Sequence, residues 1–242
     1  MSKKRLNLIL PCFNPIQGWE IRVCKHLASL EMQLNDTIIE PILINDGSIS
    51  GVEKKHFDYI QEKFPAVHII QYAENQGKGF AVREGFKLAT APFIIFTDID
   101  FPYIEADFIQ LYRKLQGGDI DILVGIRQAD YYQQTPWYRA FISKLLKYII
   151  GNFLNVKITD TQGGLKGFSQ LGRQILLKTS INRYLFDLEI IKIASNTKGI
   201  KMEAMPVELR KDVQFASLSI VIIRREFLNL LKIFFRKIPS TS

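Results

Sequence analysis

Cysteine is almost absent from this sequence: Cys12 and Cys24 are the only two in 242 residues. No spacing pairs them, which excludes a disulfide framework and points to a reducing compartment. Histidine is equally scarce, and His26, His56 and His68 stand apart, without the spacing of a structural zinc site. No run of about eighteen apolar residues is free of charge, so no membrane-spanning helix is expected. Lys3, Lys4 and Arg5 precede an apolar run, but that run is short, Pro11 interrupts it, and no small-residue cleavage site follows. It reads as a buried first strand rather than a leader. Repeats and low-complexity tracts are lacking too. Apolar residues at 47% and charged residues at 23% suit one large domain with a substantial core.

What the sequence has in excess is positive charge, +8 in all. From Arg210 to Ser242 there are seven Lys or Arg against two acidic residues. Basic residues mixed with aliphatic and aromatic ones suit an anionic membrane surface. Nucleic acid is the other usual partner of such charge, but no zinc-finger, RRM or basic-zipper pattern is present, so none is expected. Over 218–237, Ile220, Ile223, Phe227, Leu230, Leu231 and Phe234 form one helical stripe, with Arg225, Lys232 and Arg236 opposite. The expected organisation is a main domain over 1–212 and a basic amphipathic extension over 213–242 at a membrane interface. The same stripe would also serve for packing on the domain or on a second copy in a homo-oligomer.

Short β-rich runs at 6–10, 38–44, 67–72, 93–97 and 120–125 alternate with helical stretches at 19–33, 52–64, 79–89 and 105–115. Such alternation predicts an α/β fold with a mostly parallel sheet covered on both faces. Later, Ile142, Leu145, Leu146, Ile149 and Phe153 share a helical face opposite Lys144, Lys147 and Gly151. A polar, Gly-rich stretch covers 160–168, and a helix is expected over 185–196.

Open parallel sheets bind ligands beyond the carboxyl ends of their strands, and three strand ends here carry polar chemistry. Asp98 and Asp100 follow the run Phe93–Phe96. Two carboxylates at i and i+2 can hold a hard cation, Mg²⁺ or Mn²⁺, that neutralises a departing diphosphate; in isolation they would more often be solvated turn carboxylates, and their place after a strand in an α/β pattern favours the metal. Asn45-Asp46-Gly47-Ser48 offers a carboxylate for a nucleobase edge, or a plain Asp-Gly turn. Asn75-Gln76-Gly77-Lys78-Gly79 opens a helix with free backbone N–H groups and a positive charge, or is simply a tight turn; its spacing is not that of a P-loop.

In order, Pro11-x-Phe13-Asn14, Asn45-Asp46-Gly47-Ser48, Asn75-x-Gly77-Lys78-Gly79 with Arg83, and Asp98-x-Asp100 resemble glycosyltransferase family 2, which has the GT-A fold. The resemblance implies a nucleotide diphosphate sugar donor bound by Pro11, Phe13, Asn14, Asp46, Gly77, Lys78 and Asp98. Arg127, and further on Arg210, would be basic groups near the donor phosphates. Asp98 and Asp100 would face the metal, and with Arg127 form the catalytic set. The second half, with Asp160-Thr161-Gln162-x-Gly164-x-Lys166-x-Phe168, Phe186-Asp187-x-Glu189 and Met205-Pro206-Val207-Glu208, is similar to polyprenyl-phosphate sugar synthases of the dolichyl-phosphate glucose or mannose branch. That similarity implies acceptor contacts at Asp160, Gln162, Gly164 and Lys166. Two departures are Pro15, where relatives often carry an acid, and Phe101-Pro102, where many offer a polar group near the metal.

A lipid monophosphate is largely dianionic at neutral pH and attacks without a general base, leaving metal, positive charge and alignment as the requirements. A hydroxyl acceptor would need a base, for which Asp160 and Asp187 are the candidates. Asp187 and Glu189 also suit a plain helix start. A non-catalytic membrane-bound nucleotide-sugar binder is the remaining alternative. The expected location is cytoplasmic, at the cytoplasmic face of the membrane.

Overall fold

The structure is a computed structural model that describes residues 3–127, 163–213 and 229–234, with 143, 144, 147, 148, 150, 151, 156, 158, 160, 161 and 226. The apolar runs become strands β1 (Lys4–Cys12), β2 (Thr37–Asp46), β3 (His68–Tyr72), β4 (Phe93–Phe96) and β5 (Ile122–Arg127). Between them lie helices α1 (Trp19–Gln33), α2 (Lys54–Lys63), α3 (Lys78–Leu88) and α4 (Glu105–Gln116). Side chains alternate across a strand, so β1 sends Leu6, Leu8 and Leu10 into a core with α1, α2 and α4. Ile9 points the other way, into a core with α3. A strand buried on both faces must read as continuous apolar sequence.

Three elements of the second half were not expected. Residues 166–168, read as part of a Gly-rich polar stretch, form strand β6 (Lys166–Phe168); helix α5 (Gln170–Leu177) follows, then the expected α6 (Phe186–Ser195) and strand β7 (Met202–Val207). The sheet order is β3-β2-β1-β4-β6-β5-β7, and β6 runs antiparallel to both its neighbours while the other pairs are parallel. Strand order reverses beside β1, so the crevice between the carboxyl ends of β1 and β4 is the topological switch point.

The boundary expected after residue 212 is crossed by contacts. Residues 229–234 are helical; Leu230 and Ile233 pack into the core with α6, the Ile233 carbonyl accepts a hydrogen bond from Lys192 Nζ, and Glu226 accepts one from the Leu185 N–H at 2.9 Å. Three members of the expected lipid-facing side are thus placed as follows: Leu230 is buried, Phe234 is half buried against the same core, and Leu231 stays partly exposed beside an exposed Lys232. Ile220, Ile223, Phe227, Arg225 and Arg236 lie outside the described residues, as do Ile142, Leu145, Leu146, Ile149 and Phe153. Ser143, Lys144, Lys147, Tyr148, Ile150 and Gly151 are helical. Among the described residues no helix is long and apolar enough to cross a membrane.

Candidate active site

Asp98 and Asp100 leave β4 at the switch point in a turn closed by the Phe101 N–H on the Asp98 carbonyl, 2.9 Å. Phe101 holds φ 47, a left-handed conformation that costs a non-glycine residue about 1–3 kcal/mol unless its surroundings fix it. Lys78, the first residue of α3, sets its Nζ 2.5 Å from Asp98 Oδ1. Burial works against the charge on Lys78, but Asp98 and Asp187 outweigh it and raise its pKa. Among the described residues no cation is ion-paired with Asp100, although Lys78 and Arg210 act on it from further away. Burial, then the like charge of Asp98, pushes its carboxyl up to about 6. A crowded pair of hard oxygen donors short of positive charge fits Mg²⁺ or Mn²⁺, which fill their other positions with water and phosphate oxygens. Among the described residues no third Asp, Glu, His or Cys joins them.

Gly164 presses on this pair. A Cβ there would stand 2.4 Å from Asp98 Oδ2, and the Gly164 N–H donates to the Tyr103 hydroxyl at 2.9 Å. Tyr103 is a member of the site that sequence reasoning missed; its only signal was its place just past the unusual Phe101-Pro102. Lys166 was expected as a positive group contacting the acceptor, or else as a surface charge. It is wholly buried in β6, with Nζ 2.7 Å from Asp187 Oδ1, its ammonium over the Phe96 ring, and a further bond to the Gly163 carbonyl at 2.5 Å. Burial pulls Lys166 down and Asp187 up, each opposed by the other. Glu189 accepts from the Ser180 and Ile181 N–H groups at 2.9 and 2.8 Å. These acids hold the loop 180–181 and the strand β6 in place.

Arg127 and Asp160, expected as a donor-phosphate group and an acceptor residue, meet each other in an ion pair. Arg127 Nη2 lies 2.6 Å from Asp160 Oδ1 and 3.1 Å from Ser143 Oγ, and Lys147 reaches Asp160 Oδ2 at 3.1 Å. Burial alone would raise the Asp160 pKa, but Arg127 and Lys147 hold it below the ordinary value. A carboxylate so stabilised is a poor proton acceptor. Gln162 lies outside the described residues.

Asp46, expected to contact the nucleobase, makes contacts within the chain. Its buried carboxylate accepts from Asn75 Nδ2 at 2.7 Å, the Gln76 N–H at 2.8 Å and the Gly77 N–H at 2.9 Å. Both oxygens are thereby engaged within the chain. The Gln76 and Gly77 N–H groups, just ahead of α3, are taken by Asp46, whose negative charge suits the positive end of that helix. Gly77 holds φ 105, and a Cβ there would meet the Asn182 carbonyl at 2.4 Å, so only glycine fits this crossing. Asn14 likewise braces a loop, its Oδ1 accepting from the Ile49 N–H at 2.9 Å while its own N–H donates to Ser48 Oγ. Pro11 is buried in β1 beside Ile44; Phe13 is half exposed at the crevice rim, free to take a flat ring.

Arg210, from beyond β7, donates from Nη2 to the Asp100 carbonyl at 3.2 Å and sets Nη1 2.7 Å from His26 Nε2. It therefore joins the Asp98–Asp100 turn across 110 residues of sequence. His26 was read as a lone histidine, and no local pattern links it to a residue so distant.

A profile described as Glycosyl transferase family 2 matches residues 8–171. Dolichyl-phosphate beta-glucosyltransferase of Drosophila melanogaster is 28% identical over 212 residues, which are 80% of this chain and 63% of that protein. Its namesake in Dictyostelium discoideum is 30% identical over 206 residues, 78% and 62% of the two chains. The chain thus spans less than two thirds of the length of these relatives. Glucosyl-3-phosphoglycerate synthase from Mycobacterium tuberculosis, solved with Mn²⁺, UDP and phosphoglyceric acid, matches with a TM-score of 0.61 at 15% identity over 98% of this chain and 80% of that one. A mannosyltransferase from Pyrobaculum calidifontis, solved with GDP-Man and Mn²⁺, gives 0.55 at 13% identity, over 84% and 55%. At such identities the likeness concerns the fold, which is GT-A.

Proposed function

This chain belongs to glycosyltransferase family 2, and on that premise we propose that it moves a sugar from a UDP-glucose- or GDP-mannose-type donor to a polyprenyl phosphate at a membrane surface. The observation that carries the acceptor class is the state of the two candidate bases. Asp160 is held by Arg127, and Asp187 is buried against Lys166. Neither carboxylate is placed to take a proton from a hydroxyl, whereas a dianionic phosphate needs no base. The relatives' names, which carry dolichyl phosphate and glucose, support the same class.

Asp98 and Asp100 would hold Mg²⁺ or Mn²⁺, whose chemistry is to neutralise charge on the departing diphosphate. Lys78 keeps its proton and adds fixed positive charge at that position. Arg210 holds the turn that carries both acids, and Gly164 with Tyr103 closes the floor beneath Asp98. Phe13 is assigned to the nucleobase, while Asp46 and Asn14 fix the two loops on either side. Attack by the phosphate opposite the leaving diphosphate gives inversion at the anomeric carbon. Lipid contact, at the cytoplasmic face, is assigned to the basic segment from residue 213 onward, on the side where Leu231 and Lys232 are exposed.

The test is turnover of a panel of nucleotide sugars, with and without a short polyprenyl phosphate, in EDTA or in Mg²⁺ or Mn²⁺. Sugar-phosphate-lipid product that requires the metal is expected. Transfer only to hydroxyl acceptors, or full activity in EDTA, would overturn the proposal.

A further inference from the structure

His26 is a buried polar residue with no part in the transfer proposed above. It sits on α1 with its ring stacked on Phe101 at 4.8 Å and 23°. Its Nδ1 lies 2.7 Å from Glu105 Oε1, and its Nε2 lies 2.7 Å from Arg210 Nη1. Arginine is always protonated and has no acceptor, so Nε2 must present its lone pair. The ring proton is then on Nδ1 and is donated to Glu105. Glu105 is itself fixed from α1, by Ser29 Oγ at 2.5 Å and Gln33 Nε2 at 3.0 Å. His26, Ser29 and Gln33 share one face of that helix. Burial lowers the His26 pKa, in keeping with a neutral ring.

We propose that His26 is a positioning residue for transfer: locked by Glu105, it holds Arg210 on the Asp100 carbonyl and clamps Phe101, so fixing the turn that aims Asp98 and Asp100. The proposal rests on the role given to those acids above. It adds a side-chain clamp to a left-handed Phe101 that is also held by its N–H on the Asp98 carbonyl, by the Arg210 N–H on the Pro102 carbonyl, and by burial of its ring. It also gives the departure at Phe101-Pro102 a purpose, since the ring that replaces a polar group is the one His26 stacks on.

Two near-isosteric variants separate the bonds. In His26→Gln the amide oxygen reaches the place of Nε2 and still accepts from Arg210, but the Glu105 bond is lost. In His26→Asn the amide nitrogen stands in for Nδ1, so the Glu105 bond survives and the Arg210 bond is lost. Both remove the stack, and thermal melts should show similar destabilisation. With UDP-glucose or GDP-mannose, whichever turns over, His26→Asn should lose about 10- to 100-fold in kcat with little change in KM, the scale of a misplaced reacting group. His26→Gln, which loses the stack and the Glu105 lock but keeps the bond to Arg210, should lose several-fold less than His26→Asn. Calorimetric Mn²⁺ binding in the presence of UDP or GDP should weaken in the same order, and ¹⁵N NMR of the wild type should show the Nδ1–H tautomer. Equal losses of Mn²⁺ affinity in the two variants, or an Nε2–H tautomer, would overturn the proposal. Absence of any transfer by the wild type would instead count against the proposed function, while the tautomer and Mn²⁺ measurements still decide the role of His26.

Discussion

The buried pair Lys166–Asp187 allows a test whose sign depends on which partner is removed. Both side chains are essentially without solvent, at 0% and 5% exposure, and their charged atoms are 2.7 Å apart. Removing one strands the other, which must then be neutralised or remain charged in the interior. Neutralisation sets the ceiling: at pH 7, protonating an aspartate costs about 4 kcal/mol and deprotonating a lysine about 5 kcal/mol. Breaking buried pairs costs about 3–5 kcal/mol, so the ceiling is nearly reached. For a chain of this size that lowers Tm by about 6–20 °C. Lys166→Met should be the milder change, because Lys78 also acts on Asp187. Asp187→Leu leaves Lys166 and Lys78 facing each other, with only Asp98 near Lys78. With Lys166→Met the stranded Asp187 has a folded pKa above its unfolded one, so the folded state binds the extra proton. The variant therefore recovers stability as pH falls below 7, by up to about 1.4 kcal/mol per unit. Asp187→Leu reverses the sign, since a depressed lysine binds fewer protons when folded, and its deficit shrinks as pH rises. The double variant Lys166→Met/Asp187→Leu should return to within about 1–2 kcal/mol of wild type, as apolar replacements of buried pairs do. Urea unfolding at several pH values measures all of this. Single variants that cost under about 1 kcal/mol, or that share one pH slope, would refute the reasoning.

Asp46→Ala should cost about 3 kcal/mol in urea unfolding, since it strands the Gln76 and Gly77 N–H groups, and Asp46→Asn should recover part of it; unchanged stability with lost nucleotide affinity would favour a direct base contact instead. Gly164→Ala should drive Asp98 aside and cost about 100-fold in transfer with the melt little altered, and full activity would show that the two do not press on each other. Asp100→Ala should remove at least about 3 kcal/mol of transition-state stabilisation, read as kcat/KM, and wild-type rates would remove Asp100 from the metal site. Flotation with anionic vesicles should show binding that weakens in salt, at about 1 kcal/mol per basic residue near the surface; no binding at low salt would end the membrane assignment of the tail.

The first half of the chain was legible because its signals are local. A strand buried on both faces writes itself as an apolar run, and β1, β2, β4 and their helices fell where the runs and the 3.6-residue periods put them. The strand-end motifs were legible as positions for the same reason. What their side chains bond was not. Asp46 could be read as a free carboxylate because the sequence does not reveal that the chain 29 to 31 residues later folds its own N–H groups onto it. Arg127 and Asp160 each looked like a charge aimed at a ligand, and their attraction to each other, across 33 residues, is invisible to any local pattern.

The same limit explains the missed strand, and there it carries a chemical lesson. Lys-Gly-Phe has no alternation of the usual kind, because each position is matched to a distant partner rather than to a period. On one face Phe168 joins the core and Lys166 sits beside it, tolerated only because Asp187 on α6 meets it. On the other face Gly167 has no side chain, and a Cβ there would stand 2.2 Å from a Leu115 methyl, so α4 fills the space instead. A lysine at the centre of a sheet is costly unless paired, and inserting it antiparallel between β4 and β5 brings Gly163 and Gly164 up against Gly125 and Asp98. The charge pair thus does at the centre of the sheet what an apolar pair could also do for stability, but it fixes Asp187 and Lys166 behind Lys78 and Asp98 in alternating sign. If that alternation matters to a departing diphosphate, the double apolar variant will regain its Tm and still transfer sugar poorly. Stability and transfer would then part at a pair of residues that touches neither substrate.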